Sequence, residues 1–141
     1  MDDFKLSKDF TFYELTDSKS FPHLVEENRQ LAYQKLTKLE LLCFNFLQPL
    51  RDLVKRPIMV NSGFRSPDLN RSVQGSKYSQ HMQAEAVDFY CHDKTVMELY
   101  DIISTMEALD WHQLRVYQAR GFVHFGMVTG MRDHQTAFVG G

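Results

Sequence analysis

"SQHMQAEAVDF", residues 79–89, is the stretch on which the reading of this chain turns. It begins polar, becomes apolar at Ala84 and reads as a strand from Ala84 to Tyr90. Alternation puts Ala84, Ala86, Asp88 and Tyr90 on one side, and Glu85, Val87 and Phe89 on the other. Asp88 is therefore an acid inside an apolar strand, where an unpartnered carboxylate is costly to bury. His81 lies just upstream, in the polar part of the same stretch.

Downstream, residues 112–117 and 122–127 read as two strands joined by Gln118-Ala119-Arg120-Gly121, a hairpin loop. In the second strand Phe122, His124 and Gly126 share a face, while Val123 and Phe125 point away. A hairpin that pairs 117 with 122 and 115 with 124 puts Tyr117 on the face of His124.

Upstream, Pro57 to Asn61 reads as a short buried strand. Residues 62–80 read as a long loop punctuated by Gly63, Pro67, Asn70 and Gly75. The pattern from about Asn28 to Val54 is helical, with Leu31, Leu39, Leu42, Phe46, Leu50 and Leu53 as its apolar stripe. Pro49 predicts a kink or break within it. A small helix is expected near Phe12–Thr16. A second long helix is expected from an N-cap at Asp93 to about Ala108. The last fourteen residues give weak signals. This order predicts an α+β fold with a small, mostly antiparallel sheet packed against helices, and one domain over residues 1–141.

Composition bounds the function. The 141 residues are 43% hydrophobic and 24% charged, as in an ordinary globular chain. A formal charge of −2 gives no electrostatic case for nucleic acid or an anionic membrane. No run approaches the ~20 apolar residues of a membrane span. Met1-Asp2-Asp3-Phe4-Lys5 does not open a secretory signal, so synthesis in the cytoplasm is expected. Cys43 and Cys91 form no paired motif and read as free thiols.

His81, Asp88 and His124 together suggest a metal site. Zinc takes imidazole nitrogens and carboxylate oxygens, and a catalytic zinc keeps one position for water. Taken singly, His124 reads more readily as a core histidine and Asp88 as a hydrogen-bonded acceptor. The two polar residues are explained together if both face one site and His81 reaches it from the loop. Ala84, Ala86 and Gly126 would leave room for an ion and a ligand.

"SGFRSPDLN" (62–70), "GSKYSQHMQAEAVDF" (75–89) and "GFVHFGM" (121–127) resemble the signature segments of the D-Ala-D-Ala carboxypeptidase family of zinc peptidases. The segments "KLSKDFTFYELTDS" and "LQPLRDLVKRPIMVNSGFRSP" resemble its small phage-borne or prophage-type, endolysin-like members. The resemblance runs from about Lys5 to Met127 and implies a D-Ala-D-Ala carboxypeptidase/hedgehog-like fold. It implies Zn2+ held by His81, Asp88 and His124, with Ser79 supporting the site near His81. Arg65 would bind a substrate carboxylate or a developing oxyanion. The implied substrate is a peptidoglycan stem peptide, and the implied setting is release at lysis or carriage in a virion.

Two positions depart from the family's pattern. Ala84 stands where the family has glycine, which costs about 1 kcal/mol if that backbone needs positive φ. Tyr117 stands where the family has its general-base glutamate, and no glutamate follows Glu107. Phenols ionise near pH ~10 in water and are poor bases at neutrality, though they can donate to an oxyanion. Glu85 should point away from the site; Asp110, His112 and Asp133 remain open as replacements. An alternative expectation is a non-catalytic zinc-binding module that binds a peptide, small ligand or partner. A weaker one is a virion component with a relic metal site.

Overall fold

The computed structural model describes residues 1–106, 111–127 and 136–140. The chain opens with a short hairpin, β1 (Lys5–Ser7) and β2 (Phe10–Thr11). A helical run follows: α1 (Val25–Tyr33), α2 (Leu36–Leu42), a wide π turn (Cys43–Leu47) and α3 (Gln48–Val54). Next come β3 (Met59–Ser62), the short helix α4 (Pro67–Ser72), a 3-10 turn (Gln80–Gln83) and β4 (Ala86–Tyr90). Helix α5 (Val96–Ser104) and strands β5 (Trp111–Tyr117), β6 (Phe122–Met127) and β7 (Thr136–Gly140) complete the described chain.

β3 to β7 form one sheet in the order β3-β4-β6-β5-β7. Its pairs are antiparallel except β5 with β7, which is parallel. The α+β expectation with a mostly antiparallel sheet therefore holds. β7 is the addition that the weak C-terminal pattern did not announce.

Strand alternation divides the sheet into two faces. Val87, Phe89, Leu114, Val116, Val123 and Phe125 are buried against the helical run. Phe46 of the π turn stacks on Phe125, with ring centroids 3.6 Å apart, and meets Phe89 edge-on at 5.5 Å. The opposite face carries Asp88, His124, Gln113, Arg115 and Tyr117 and lines a cleft. Helices thus support one face while the other presents the polar residues. No helix among the described residues is long and apolar enough to cross a membrane.

Several local expectations need correction. The helical run breaks at Gln34-Lys35 rather than at Pro49. Pro49 lies in the first turn of α3, where a missing donor matters least, and the π turn just before it bonds Gln48 N–H to the Cys43 carbonyl. Leu53 is exposed and not part of the stripe. β3 is an edge strand only partly buried, because β4 covers it on one side alone. Residues 12–16 form turns, not a helix. The loop after β3 contains α4, capped by Ser66. Helix α5 starts at Thr95 through a reciprocal cap with Glu98, while Asp93 pairs with Arg56 at 3.2 Å. Its expected end near Ala108 lies outside the described residues.

Candidate metal centre

The loop that begins after β3 is held by tight packing. Gly63 passes so close to Leu15 that a Cβ there would meet the Leu15 carbonyl oxygen at 2.3 Å. Buried Asn28 fastens the same loop. Its Nδ2 donates to the Thr16 and Phe64 carbonyls, and its Oδ1 accepts from Ser66 N–H. This fixes the backbone on either side of Arg65.

His81 sits in the 3-10 turn that precedes β4. Ser79 caps that turn, its hydroxyl accepting the His81 N–H at 3.2 Å. Ala84 ends it in the left-handed region, with φ 58 and ψ 35. The condition that makes the family's glycine favourable is therefore met here by an alanine. Ala84 precedes β4 and is buried in the core, so its methyl neither shares the strand's site face nor narrows the cleft. The space beside Gly126 is taken by Gln80, whose Oε1 would lie 2.3 Å from a Cβ at that position.

Register then brings the three candidate ligands together. Asp88 lies directly opposite His124 in the β4–β6 pair. The ligand atoms of His81, Asp88 and His124 all lie within 4.8 Å of one another. Asp88 Oδ1 is 3.3 Å from His81 Nε2 and 2.7 Å from His124 Nδ1. Donors bonded at ~2.0–2.1 Å to a tetrahedral zinc stand roughly 3.3 Å apart, so the cluster is of the right size.

The hydrogen bonds around the ring nitrogens also fit a cation. His81 Nδ1–H donates to the Gly63 carbonyl at 2.8 Å, which leaves a lone pair on Nε2. Burial lowers the His81 pKa against the opposing pull of Asp88 and favours the neutral ring. Burial likewise opposes charge on Asp88, but whenever an imidazole carries a proton on the side facing it, that charge and hydrogen bond outweigh burial and hold the carboxyl below the usual carboxylate range. A neutral Nε2 and an ionised Oδ1 then face each other as two acceptors, a contact that a cation between them resolves. His124 Nε2–H donates to Gln113 Oε1 at 3.1 Å, which turns Nδ1 toward the same point.

Arg65 closes the other side. Its Nη2 is 3.4 Å from Asp88 Oδ2, its Nε donates to Ser62 Oγ at 2.9 Å and its Nη1 to Asn70 Oδ1 at 3.2 Å. Burial lowers its pKa and Asp88 opposes the shift, so the fork stays charged beside the site.

The cleft over these residues encloses about 630 Å³. Ser79, Tyr117 and His112 line it, together with the cluster and Arg65. A smaller cavity of about 290 Å³ continues past Arg65 along Ser18, Lys19 and Asn61. Among the described lining residues of the main cleft, Asp88 is the sole carboxylate. Glu85 points to the far side, where its Oε2 meets Lys38 Nζ at 2.7 Å. His112 is in the cleft, with Nδ1 3.1 Å from Gln80 Oε1. Asp110 and Asp133 lie outside the described residues. Tyr117 is at the cleft wall as the hairpin register requires, its ring stacked on Phe122 at 4.7 Å.

Sequence reasoning missed Gln113, Gln80 and Asn70. Gln113 was within reach, because the pairing of 117 with 122 and 115 with 124 continues in regular register to place it opposite Gly126 on the site face, before the bulge toward Trp111. Gln80 and Asn70 act through loop geometry that no periodicity encodes.

A His-Asp-His cluster at the floor of a cleft, carried by a mostly antiparallel sheet, offers three ligand atoms that could hold a metal ion. The chain belongs to the Peptidase M15 family, the D-Ala-D-Ala carboxypeptidase-like zinc peptidases, whose sequence model matches residues 14–126. No curated protein matches the chain significantly.

Proposed function

We propose that this chain is a zinc-dependent peptidase that cuts peptide bonds in peptidoglycan stem peptides. The convergence of His81 Nε2, Asp88 Oδ1 and His124 Nδ1 carries this reading. These side chains would hold the zinc, which supplies polarisation of the scissile carbonyl and acidification of water. Arg65 offers a planar fork, partly shielded from solvent, to a substrate carboxylate or to the negative charge that develops on the carbonyl oxygen. Ser79 keeps His81 in place through the backbone and borders the cleft. Tyr117 can donate a hydrogen bond from the wall. The two cavities that meet at Arg65 give an extended peptide room on either side of it.

A second reading has its own observation. With Tyr117 at the family's base position, no carboxylate besides Asp88 lines the main cleft among the described residues. In that reading the chain binds zinc and a peptide without cutting it. The deciding experiment measures zinc content and hydrolysis of purified peptidoglycan and of D-Ala-D-Ala peptides. Activity that His81→Ala abolishes establishes the peptidase. A fully zinc-loaded chain that cleaves nothing leaves the binding module.

A further inference from the structure

We propose that Arg115 and Arg120 form a carboxylate-binding subsite on the β5–β6 hairpin, which selects peptides carrying a second acidic group beside the one that Arg65 takes. The inference rests on the reading of the cleft as a peptide groove. Arg115 lies directly opposite His124 in the register, half-buried on the site face, and lines the cleft. Arg120 also lines it; its guanidinium lies over the Phe122 ring at 4.9 Å and the Tyr117 ring at 5.9 Å, which holds it at the hairpin end. Arg29, Arg56, Arg65 and Arg71 are each ion-paired with an aspartate, while Arg51, outside the cleft, has no such pair among the described residues. Among the described residues Arg115 and Arg120 have no carboxylate partner. The cleft cannot supply one internally, since Asp88 is already engaged by His81, His124 and Arg65. Two cations on one wall of the cleft, Arg115 half-buried and Arg120 exposed at its rim, favour an anionic ligand over a neutral one. Planar forks suit a carboxylate geometrically.

The test is calorimetric titration of the full chain, zinc-loaded and chelator-treated, with acetyl-Glu-Lys-D-Ala-D-Ala and its Gln counterpart. The Glu peptide is expected to bind about tenfold tighter at low salt. The preference should shrink as salt rises, vanish in Arg115→Gln/Arg120→Gln and survive in Arg65→Gln. Equal binding of the two peptides, no binding of either, or a preference that persists in the double variant overturns the proposal. A chain that takes up no zinc when it is offered, yet keeps the preference, sinks the peptidase reading alone. A zinc-loaded hydrolase without the preference sinks the subsite alone.

Discussion

Asp88 and His124 face each other across β4 and β6, and the carboxylate Oδ1 lies 2.7 Å from the imidazole Nδ1. The sheet register sets this pairing of the two residues. Ser62, Asp88, His124 and Arg115 follow one another in a row across β3, β4, β6 and β5. A slip of one residue would turn these side chains toward the helices and bring Val87 or Phe125 to the cleft. The apolar face that holds the sheet on Phe46 is therefore what keeps the polar face aligned.

Gln113 should matter to metal binding without touching the metal. Its Oε1 accepts from His124 Nε2–H and fixes which nitrogen faces Asp88. Loss of such a partner typically weakens metal affinity about 10–100-fold. Gln113→Ala should show that loss in a zinc competition assay with a chromophoric chelator, at unchanged urea stability. Gln113→Glu retains an acceptor and should recover most of it. An unaltered affinity in Gln113→Ala would show that the contact does not orient the ring.

Acid should destabilise the metal-free chain in two stages. His81 is held neutral below its ordinary pKa, so the unfolded chain binds the extra proton first; stability falls as pH drops below about 6.5. Asp88 is also shifted down, so its contribution is complete above about 3.9 and is lost as pH falls further toward its folded value. Each group can change stability by at most ~1.4 kcal/mol per pH unit within its window. Urea midpoints across pH should show both stages, and His81→Gln should remove the first. A flat profile between about pH 7 and 5 in the wild type contradicts the buried neutral ring.

Tyr117→Glu returns a carboxylate to the cleft wall. A positioned general base is typically worth 10²–10⁴-fold in rate. Zinc-loaded Tyr117→Glu should therefore cleave D-Ala-D-Ala peptides faster than the wild type by a factor in that range. The ring it removes stacks on Phe122 and meets Phe138, so thermal melts should accompany the assay. A folded, zinc-loaded variant no faster than wild type would mean that the tyrosine is not what limits hydrolysis.

Strands β4, β5 and β6 were legible because each alternates a buried and a polar face, and the same alternation exposed Asp88 and His124 as misfits. The hairpin register followed from its loop length. Less was legible where tertiary contacts overrule local pattern. Pro49 did not break its helix because a π turn absorbs it, and Leu53 fits the helical period but has nothing to pack against. β7 is short, and its parallel pairing to β5 depends on a partner distant in sequence. Arg65 was identified by resemblance, but its fixation by Asn70 and Ser62 exists only in the folded loop.

Ala84 ties the local backbone to the candidate metal centre. It holds φ 58 with no exposed surface, and its N–H donates to the Gln80 and His81 carbonyls, closing the turn that carries His81. Glycine at this position relieves roughly 1 kcal/mol of left-handed strain. The same change removes a buried methyl worth ~0.8 kcal/mol and frees the unfolded chain by about 0.4–1 kcal/mol. These effects offset one another, so Ala84→Gly should shift stability by less than about 1 kcal/mol. Valine adds a branched side chain in the left-handed region and two carbons in a filled core. Those effects act together, and Ala84→Val should cost more than about 2 kcal/mol. Because the turn positions His81, Ala84→Val should also weaken zinc binding while Ala84→Gly leaves it intact. Urea unfolding and zinc titration of both variants check this, and an Ala84→Val chain of wild-type stability would show that the left-handed turn is not required.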